Sequence, residues 1–163
     1  MNTVDATEFR DAMATTATGV TVITTDGKAG RAGVTVSTLC SLSLEPPSVI
    51  LCVHKESRAL PTLFENGVFV ANVLACGQER VADTFAGRIA ELRDDRFASG
   101  EWQNLVTGAP ALIGAVCAFD CTVAQVFDFG SHRIIAGIVV GLAQTDSPPL
   151  VHAQRAYQRL RAA

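Results

Sequence analysis

Short apolar runs rich in β-branched residues, separated by Gly, Pro and Asp, recur along the chain and predict a mainly β fold. Two such runs in residues 20–38 flank Asp26-Gly27, a dipeptide typical of hairpin turns. A further strand at residues 41–44 stops before Pro46-Pro47, and apolar residues resume at 48–54. Because proline cannot donate to a strand ladder, the double proline predicts a corner between these two strands.

Three short helices are predicted among the strands. Asp5, with Glu8 three residues later, resembles a capping box and begins the first helix. Ser57 is the predicted N-cap of a second helix, which ends at Gly67. The segment GQERVADTFAG, residues 77–87, has apolar residues one turn apart and predicts the third helix.

In the second half of the chain, residues 91–108 are polar and irregular, and two long strands are predicted at 113–127 and 133–144. The C-terminal segment SPPLVHAQRAYQRLRAA, residues 147–163, is interpreted as a turn followed by a basic helix. Strands that follow one another directly favour an antiparallel barrel closed on itself, with peripheral helices packed outside. No repeat or linker divides the sequence, so residues 1–163 are expected to form one domain.

The composition is typical of a compact globular protein, with 163 residues of which 48% are hydrophobic and 18% charged. A net charge of −3 argues against nucleic acid as a partner, because a phosphate backbone attracts basic surfaces. No apolar run reaches the roughly 18 residues that span a bilayer, so no membrane association is expected. The N-terminus lacks the pattern of a signal peptide, and the cytoplasm is the expected location.

The sequence lacks several motifs of established chemistry. Its five cysteines, an odd number without close pairs, indicate neither a disulfide framework nor a metal site, and most are expected to be buried thiols. The glycine-rich dinucleotide motif, the P-loop and the GxSxG elbow are absent from the sequence. Ser131 and His132 are adjacent, and strand neighbours point to opposite faces, so no serine–histidine nucleophile pair is expected.

Three polar segments each have two interpretations. The hydroxyls of TVSTLCS, residues 35–41, suit half-buried strands and turns, or hydrogen bonding to a flat heterocycle. The segment HKESR, residues 54–58, is either an ordinary helix N-cap with solvated charges or a phosphate site formed by free N–H groups, Lys55 and Arg58. His132, at the entrance of an apolar strand, is either a half-buried ring bonded to a carbonyl or a ligand-binding group.

Taken in order, several segments resemble the short-chain flavin reductases of two-component monooxygenases, the flavin reductase-like group with an FMN-binding split barrel. The resemblance covers nearly the whole chain and implies an antiparallel split β-barrel of Greek-key type. The segments that carry it are FRDAMATTATGVTVITT (9–25), GVTVSTLCSLSLEPPSVILCVHKESR (33–58), FVANVL (69–74), FAG (85–87), RF (96–97) before Trp102, the Gly-x-His step at 130–132 and PPLVHAQRAYQRL (148–160).

The resemblance implies an NAD(P)H:flavin oxidoreductase that reduces FMN or FAD by hydride transfer. Reduced flavin would then diffuse to a separate monooxygenase component, and the active form would be a homodimer. NADH is favoured over NADPH, because the sequence shows no arginine cluster dedicated to a 2′-phosphate. Two alternatives stay open: a flavin-binding or carrier domain without activity, and a flavoenzyme that reduces another small molecule directly.

Site residues are also implied by the resemblance. His132 is assigned the catalytic position at the nicotinamide side of the flavin, where it helps to seat NAD(P)H. Ser131 stands where the family commonly has Asp. Phe85 has the spacing of a core residue as well, and Tyr157 is expected to close the pocket from the terminal helix. The implied flavin-binding residues are Thr35, Val36, Ser37, Thr38, Ser41, Cys52, His54, Lys55, Ser57, Arg58, Phe85, Arg88 and Tyr157.

Overall fold

The computed structural model of the chain describes residues 3–160, which contain twelve strands, three α-helices and two 3-10 helices. The helices are α1 (Ala6–Ala14), α2 (Ala59–Asn66) and α3 (Glu79–Phe85), with 3-10 helices at Ala90–Leu92 and Arg96–Ser99. The strands are β1 (Thr18–Gly19), β2 (Thr21–Thr25), β3 (Ala32–Val36), β4 (Leu39–Leu44), β5 (Pro47–His54), β6 (Val68–Val73), β7 (Trp102–Asn104), β8 (Pro110–Leu112), β9 (Cys117–Phe129), β10 (His132–Gln144), β11 (Leu150–Ala153) and β12 (Ala156–Arg159).

The main sheet has seven strands in the order β3-β2-β6-β9-β10-β5-β4, and every neighbouring pair is antiparallel. A second sheet has the order β1-β11-β12, and β7 pairs with β8. The prediction of a mainly β, antiparallel fold with peripheral helices is confirmed. Closure into a complete barrel is not present within residues 3–160, because β3 and β4 are the two unpaired edges of the main sheet.

The two edge strands are consecutive in the chain, and this connection curves the sheet. Only Ser37 and Thr38 lie between β3 and β4. Two extended residues reach about 10 Å at most, whereas seven flat strands would be almost 30 Å wide. The main sheet must therefore curl until its edges approach each other, and β3 borders the remaining gap.

Most local predictions agree with the structure, including the hairpin of β2 and β3 and the helix that begins at the N-cap Asp5. Two details differ. Arg58 rather than Ser57 occupies the N-cap of α2, and the Ser57 hydroxyl lies 3.4 Å from the backbone nitrogen of Ala59. The double proline forms a tight turn rather than a corner, because β4 and β5 pair directly with each other and Pro47 is the first residue of β5.

The predicted C-terminal helix is wrong, because this segment forms the hairpin of β11 and β12. Gln154 and Arg155 connect the two strands with φ angles of 52° and 60°, the positive values that a tight hairpin turn requires. β11 also pairs with β1, where Thr18 lies opposite His152. The last residues of the predicted helix, 161–163, lie outside the described part of the chain.

The buried core consists mainly of apolar side chains from the sheets and the helices that cover them. One cluster lies under α2, a second lies under α3, and a third, smaller one includes Val70 and Ala118. Burial of these side chains is the main stabilising contribution to the fold. Members of the first cluster include Ile23, Leu51, Leu63, Phe69 and Ile135, and members of the second include Val22, Leu74, Val81, Phe85 and Leu150.

All five cysteines are free thiols, as predicted. Their expected burial holds fully for Cys121 alone, where burial raises the pKa of the thiol to about 12, and Cys40 is exposed. Within the described range, the His, Cys, Asp and Glu side chains form no group of three or more with the geometry of a metal site. None of the helices at residues 3–160 has the length and apolar character that crossing a membrane requires.

Candidate functional site

A groove runs along β3 and consists of two adjoining cavities. The first has a volume of about 260 Å³, the second about 220 Å³, and they share Thr35, Val36 and Ser37. Ten of the predicted site residues therefore lie together. Those in the first cavity are Thr35, Val36, Ser37, Thr38, Cys52, His54, Ser57 and His132, and the second adds Arg88 and Tyr157.

Edge strand β3 forms the floor of both cavities. Its outer N–H and C=O groups have no ladder partner within residues 3–160, so they remain able to bind a heterocycle edge. The hydroxyl of Thr35 donates to the carbonyl of Ala82 at 2.7 Å, and Thr38 bonds to the backbone N–H and C=O of Cys52 at 3.0 Å. These two hydroxyls belong to the fold, which leaves the exposed Ser37 as the free hydroxyl of β3 and its connection to β4 in the described structure.

Two histidines face each other at one end of the groove. His132 begins β10 and is the direct cross-strand partner of His54 at the end of β5. Their ring centroids are 5.1 Å apart, with an angle of 82° between the ring planes. The backbone N–H of Glu56 donates to Nδ1 of His54 at 3.3 Å, so the neutral ring carries its proton on Nε2. The pair offers polar ring edges beside the apolar wall of the groove.

The predicted separation of Ser131 and His132 is wrong. Ser131 lies in the two-residue turn between β9 and β10 rather than in a strand, and its hydroxyl is 2.9 Å from Nδ1 of His132. Alternation of side chains does not apply in a turn, which is why the argument from strand geometry failed. The serine orients the imidazole from the position where an Asp was expected.

A small polar network closes the other end of the groove. The Tyr157 hydroxyl donates to Oδ1 of Asp83 at 2.7 Å, and Nη1 of Arg88 donates to the same oxygen at 2.9 Å. His152 lies opposite Tyr157 in the β11–β12 hairpin, with the ring centroids 5.9 Å apart. The sequence analysis missed Asp83 and His152. Asp83 lies five residues before Arg88, but its contact with Tyr157 depends on the hairpin that was predicted as a helix.

The contact with Asp83 should affect the pKa of Tyr157, which a titration can measure. Burial, then the hydrogen bond to Asp83, raise the pKa of Tyr157 to about 12 from its ordinary value of 10. The folded state holds the tyrosine proton more tightly than the unfolded state does. The raised pKa therefore contributes to the stability of the fold, and this contribution is complete below pH 10 and is lost as the pH rises through 12. Tyr157 is the only tyrosine, so absorbance at 295 nm reports on it alone.

We expect the wild-type midpoint near 12 and a lower midpoint in Asp83→Asn, which retains the shape of the side chain without its charge. Circular dichroism at each pH identifies the range in which the protein is still folded. A wild-type midpoint at 10 in folded protein would contradict the network.

Two of the predicted residues lie outside the groove on the surface. Ser41 lines a separate apolar cavity of about 370 Å³ beside Leu44 and Leu142. Lys55 forms an ion pair with Asp128 at 3.3 Å, and it lines neither cavity of the groove. Lys55 is therefore held at the β9–β10 hairpin, where an acidic partner already neutralises its charge.

Phe85 and Arg58, also predicted to bind the flavin, do not line the groove. Phe85 is buried in the core, where its ring packs edge-on against Phe97 and Trp102. A Cβ atom on Gly33 would lie 2.6 Å from this ring, so glycine allows β3 to rest directly on Phe85. Arg58 lines a neighbouring cavity at the start of α2.

The antiparallel fold places this chain in the class of small β proteins whose solved structures include flavin reductases. Residues 13–161 match the family described as "Flavin reductase like domain". The chain belongs to this family, and the predicted resemblance is confirmed.

Relatives and solved structures that are similar to this chain are named as flavin reductases or as NADH:flavin oxidoreductases. The relative "FMN reductase (NADH) RutF" of Ancylobacter novellus is 44% identical over 84% of this chain and 75% of its own length. The structure of the Streptomyces globisporus NADH:FAD oxidoreductase SgcE6 has a TM-score of 0.88 at 28% identity and covers 99% of both chains. That of BorF, the flavin reductase component of a bacterial two-component tryptophan halogenase, has a TM-score of 0.86 at 31% identity, over 98% of this chain and 100% of BorF.

Proposed function

We propose that this chain, as one domain, is an NADH:flavin oxidoreductase that supplies reduced flavin to a separate monooxygenase. The observation that carries the proposal is the groove along β3, which joins ten of the predicted site residues in a protein of the flavin reductase-like family. Its two cavities form a continuous trough over an exposed strand edge, a shape suited to a flat ring system with a polar chain attached.

Flavin and NADH would both act as substrates in this groove. The reaction moves a hydride from the nicotinamide to the flavin, and it needs two stacked rings in a site from which water is excluded. The β3 backbone and Ser37 would bind the polar edge of the flavin, and Ser57 its phosphate. His132, oriented by Ser131, would seat the nicotinamide, because an imidazole N–H donates to a carboxamide oxygen.

The direct test is NADH oxidation measured with riboflavin, FMN and FAD. We expect micromolar flavin to accelerate the oxidation strongly, because the groove would hold the flavin and the nicotinamide stacked on each other. NADPH should be the weaker reductant in the same assay. A rate independent of added flavin would contradict the proposal, and it would favour a flavin carrier or an enzyme with another acceptor.

A homodimer is the proposed assembly. Apolar side chains are exposed on β4, β9 and β10, including Leu44, Phe129 and Leu142, with exposed fractions of 82%, 77% and 55%. Large exposed apolar surfaces mark interaction sites, and two-fold dimers are the commonest oligomers. Sedimentation velocity at micromolar concentration should give a mass near twice 17.2 kDa. A monomer under these conditions would contradict the proposed assembly.

The partner and the location follow from the same proposal. Reduced flavin would leave the groove and diffuse to the oxygenase, because both cavities are open to solvent rather than enclosed. We propose the cytoplasm as the location, since five free thiols suit a reducing compartment.

A further inference from the structure

Positive charge in the first cavity of the groove can come only from two histidines within the described residues. The cavity is lined by residues 34–38, 52–54, 57 and 132, and none of these is a lysine, an arginine or a carboxylate. The thiol of Cys52 carries no positive charge in either protonation state. His54 and His132, called here the histidine pair, therefore decide whether a ligand in this cavity meets a cation.

The charged side chains beside the pair do not by themselves decide which ring is charged. Lys55 and Arg133 both pair with Asp128, at 3.3 Å and 3.0 Å, and Arg58 lines the neighbouring cavity. The edge strands β3 and β4 contribute no charged residue. The hydrogen bonds of the two rings therefore decide where a proton resides. The charged residues that adjoin the pair are Lys55, Glu56, Arg58, Asp128 and Arg133.

The two rings differ in what their Nδ1 atoms contact. Nδ1 of His54 accepts the backbone N–H of Glu56 at 3.3 Å, so a proton on this nitrogen would bring two N–H groups together and remove the bond. Nδ1 of His132 lies 2.9 Å from the hydroxyl of Ser131, which can donate to a neutral ring or accept from a charged one. A single proton is therefore held better by His132 than by His54.

The distance between the rings limits the pair to one proton. Their centroids are 5.1 Å apart, and two positive charges at this separation repel each other. The angle of 82° between the ring planes gives an edge-to-face contact, in which a charged ring is attracted to the electrons of a neutral one. His54 is thus the neutral partner, and it positions a His132 ring that can carry the charge.

Hydride transfer changes the charge of the nicotinamide that His132 is proposed to seat. NADH gives up a hydride, which is one proton with two electrons, from C4 of its neutral ring, and the ring of NAD+ is a cation. The flavin accepts the hydride with both electrons, so the transfer balances without a proton from the protein. A positive His132 repels the product ring but not the substrate ring, because only the product ring is charged.

We propose that the histidine pair carries one positive charge, on His132, and that this charge weakens the binding of NAD+ relative to NADH and assists product release. The inference rests on the proposed function, because it requires the nicotinamide to lie beside His132. Product release limits the turnover of many enzymes, so discrimination against the product ring contributes to the rate. His132 would then have two roles, since its N–H seats the substrate and its charge repels the product.

The ratio of the Kd for NAD+ to the Kd for NADH tests the proposal. Isothermal titration measures both constants at pH 6 and at pH 8, on either side of the range in which histidines ordinarily change charge. The two nucleotides differ only in the nicotinamide ring, so effects of pH on the rest of the molecule cancel. We expect the ratio to be about fivefold higher at pH 6, the effect of two like charges about 4 Å apart in water. The acid-stable tetrahydro analogue of NADH, also neutral at the ring, serves as a second ligand.

Three variants assign the effect to one residue. His132→Gln retains an N–H donor without the charge, and its ratio should be the same at both pH values, because the remaining His54 stays neutral. His54→Gln should retain the dependence on pH, because His132 still carries the charge. His152→Gln is the matched control, since His152 is the third histidine of the chain and lines the second cavity. It should also retain the dependence.

Carbon-13 NMR of histidine-labelled protein tests the charge assignment without any ligand. The three histidines give three signals, which the same variants assign. Between pH 8 and pH 6 we expect the signal of His132 to move toward that of a charged ring, while the signal of His54 stays at that of a neutral ring. Comparable movement of both signals would overturn the single charge, and movement of His54 alone would contradict its place on His132.

The proposal is overturned if the wild-type ratio is the same at both pH values, or if His152→Gln rather than His132→Gln removes the difference. NADH oxidation with added flavin separates this outcome from failure of the proposed function. If that reaction proceeds while the ratio does not depend on pH, the reductase assignment stands and His132 does not discriminate against NAD+. If the protein neither binds the nucleotides nor oxidises NADH, the proposed function and this inference both fail.

Discussion

Replacement of Phe85 by alanine is expected to lower the free energy of unfolding by about 3–5 kcal/mol, the usual cost of removing a buried aromatic ring. Phe85 is 1% exposed and packs between Gly33 and the rings of Phe97 and Trp102. Removing it would leave a cavity under β3, because the sheet and α3 can collapse only partly. Urea denaturation followed by circular dichroism and by the fluorescence of Trp102, the only tryptophan, measures the loss.

Phe9→Ala is the matched control, since Phe9 lies on α1 and is 58% exposed. We expect this change to stay within about 0.5 kcal/mol of the wild type. Phe85→Leu should lose less than Phe85→Ala, because it retains most of the apolar volume. A loss below about 1 kcal/mol in Phe85→Ala, together with weaker flavin binding, would show instead that the ring contacts the ligand.

Phe85 is a residue whose place, in the flavin site or in the core, could not be predicted from the sequence. Its segment resembles a family motif, and that resemblance placed it in the flavin site, but helical spacing from Val81 indicated the core equally well. The structure decides for the core, because α3 turns this face toward β3. In this structure Phe85 therefore supports β3 from below.

The elements that could be predicted are those with local signals. Asp26-Gly27 between two β-branched runs was sufficient for the β2–β3 hairpin, and Gly67, with a φ of 69°, ends α2 as expected. The C-terminal segment has no such signal. Its strand character depends on pairing with β1, more than 130 residues away in the sequence, and on the strained turn at Gln154 and Arg155.

Long-range contacts also explain what was missed in the site. The four arginines around the cavity at the start of α2 come from just before β3, from the start of α2 and from the segment after α3, so the sequence shows no cluster. The contact of Asp83 with Tyr157 spans 74 positions. The predicted site residues that the groove brings together lie mainly in two continuous segments, 35–38 and 52–57, and in the short motif around His132, with Arg88 and Tyr157 added by the second cavity.

His132→Ala is expected to lower kcat/KM for NADH about tenfold or more, mainly through a higher KM. The imidazole is 2.9 Å from the Ser131 hydroxyl and stands edge-on to His54, so both neighbours define its orientation. Loss of one oriented hydrogen bond in a partly desolvated site costs about 0.5–1.5 kcal/mol, and weaker stacking of the nicotinamide adds to this. Steady-state NADH oxidation with saturating FMN measures the effect.

Flavin affinity should change less than about threefold in His132→Ala, because the proposed phosphate contact is made by Ser57 and not by His132. His132→Gln retains an N–H donor and should recover part of the lost kcat/KM, whereas a purely structural role of the ring would give no such recovery. Ser131→Ala should have a smaller effect in the same direction, since it removes the group that orients the ring without removing the donor. If His132→Ala instead abolishes FMN binding and leaves the dependence on NADH unchanged, His132 belongs to the flavin rather than to the nicotinamide.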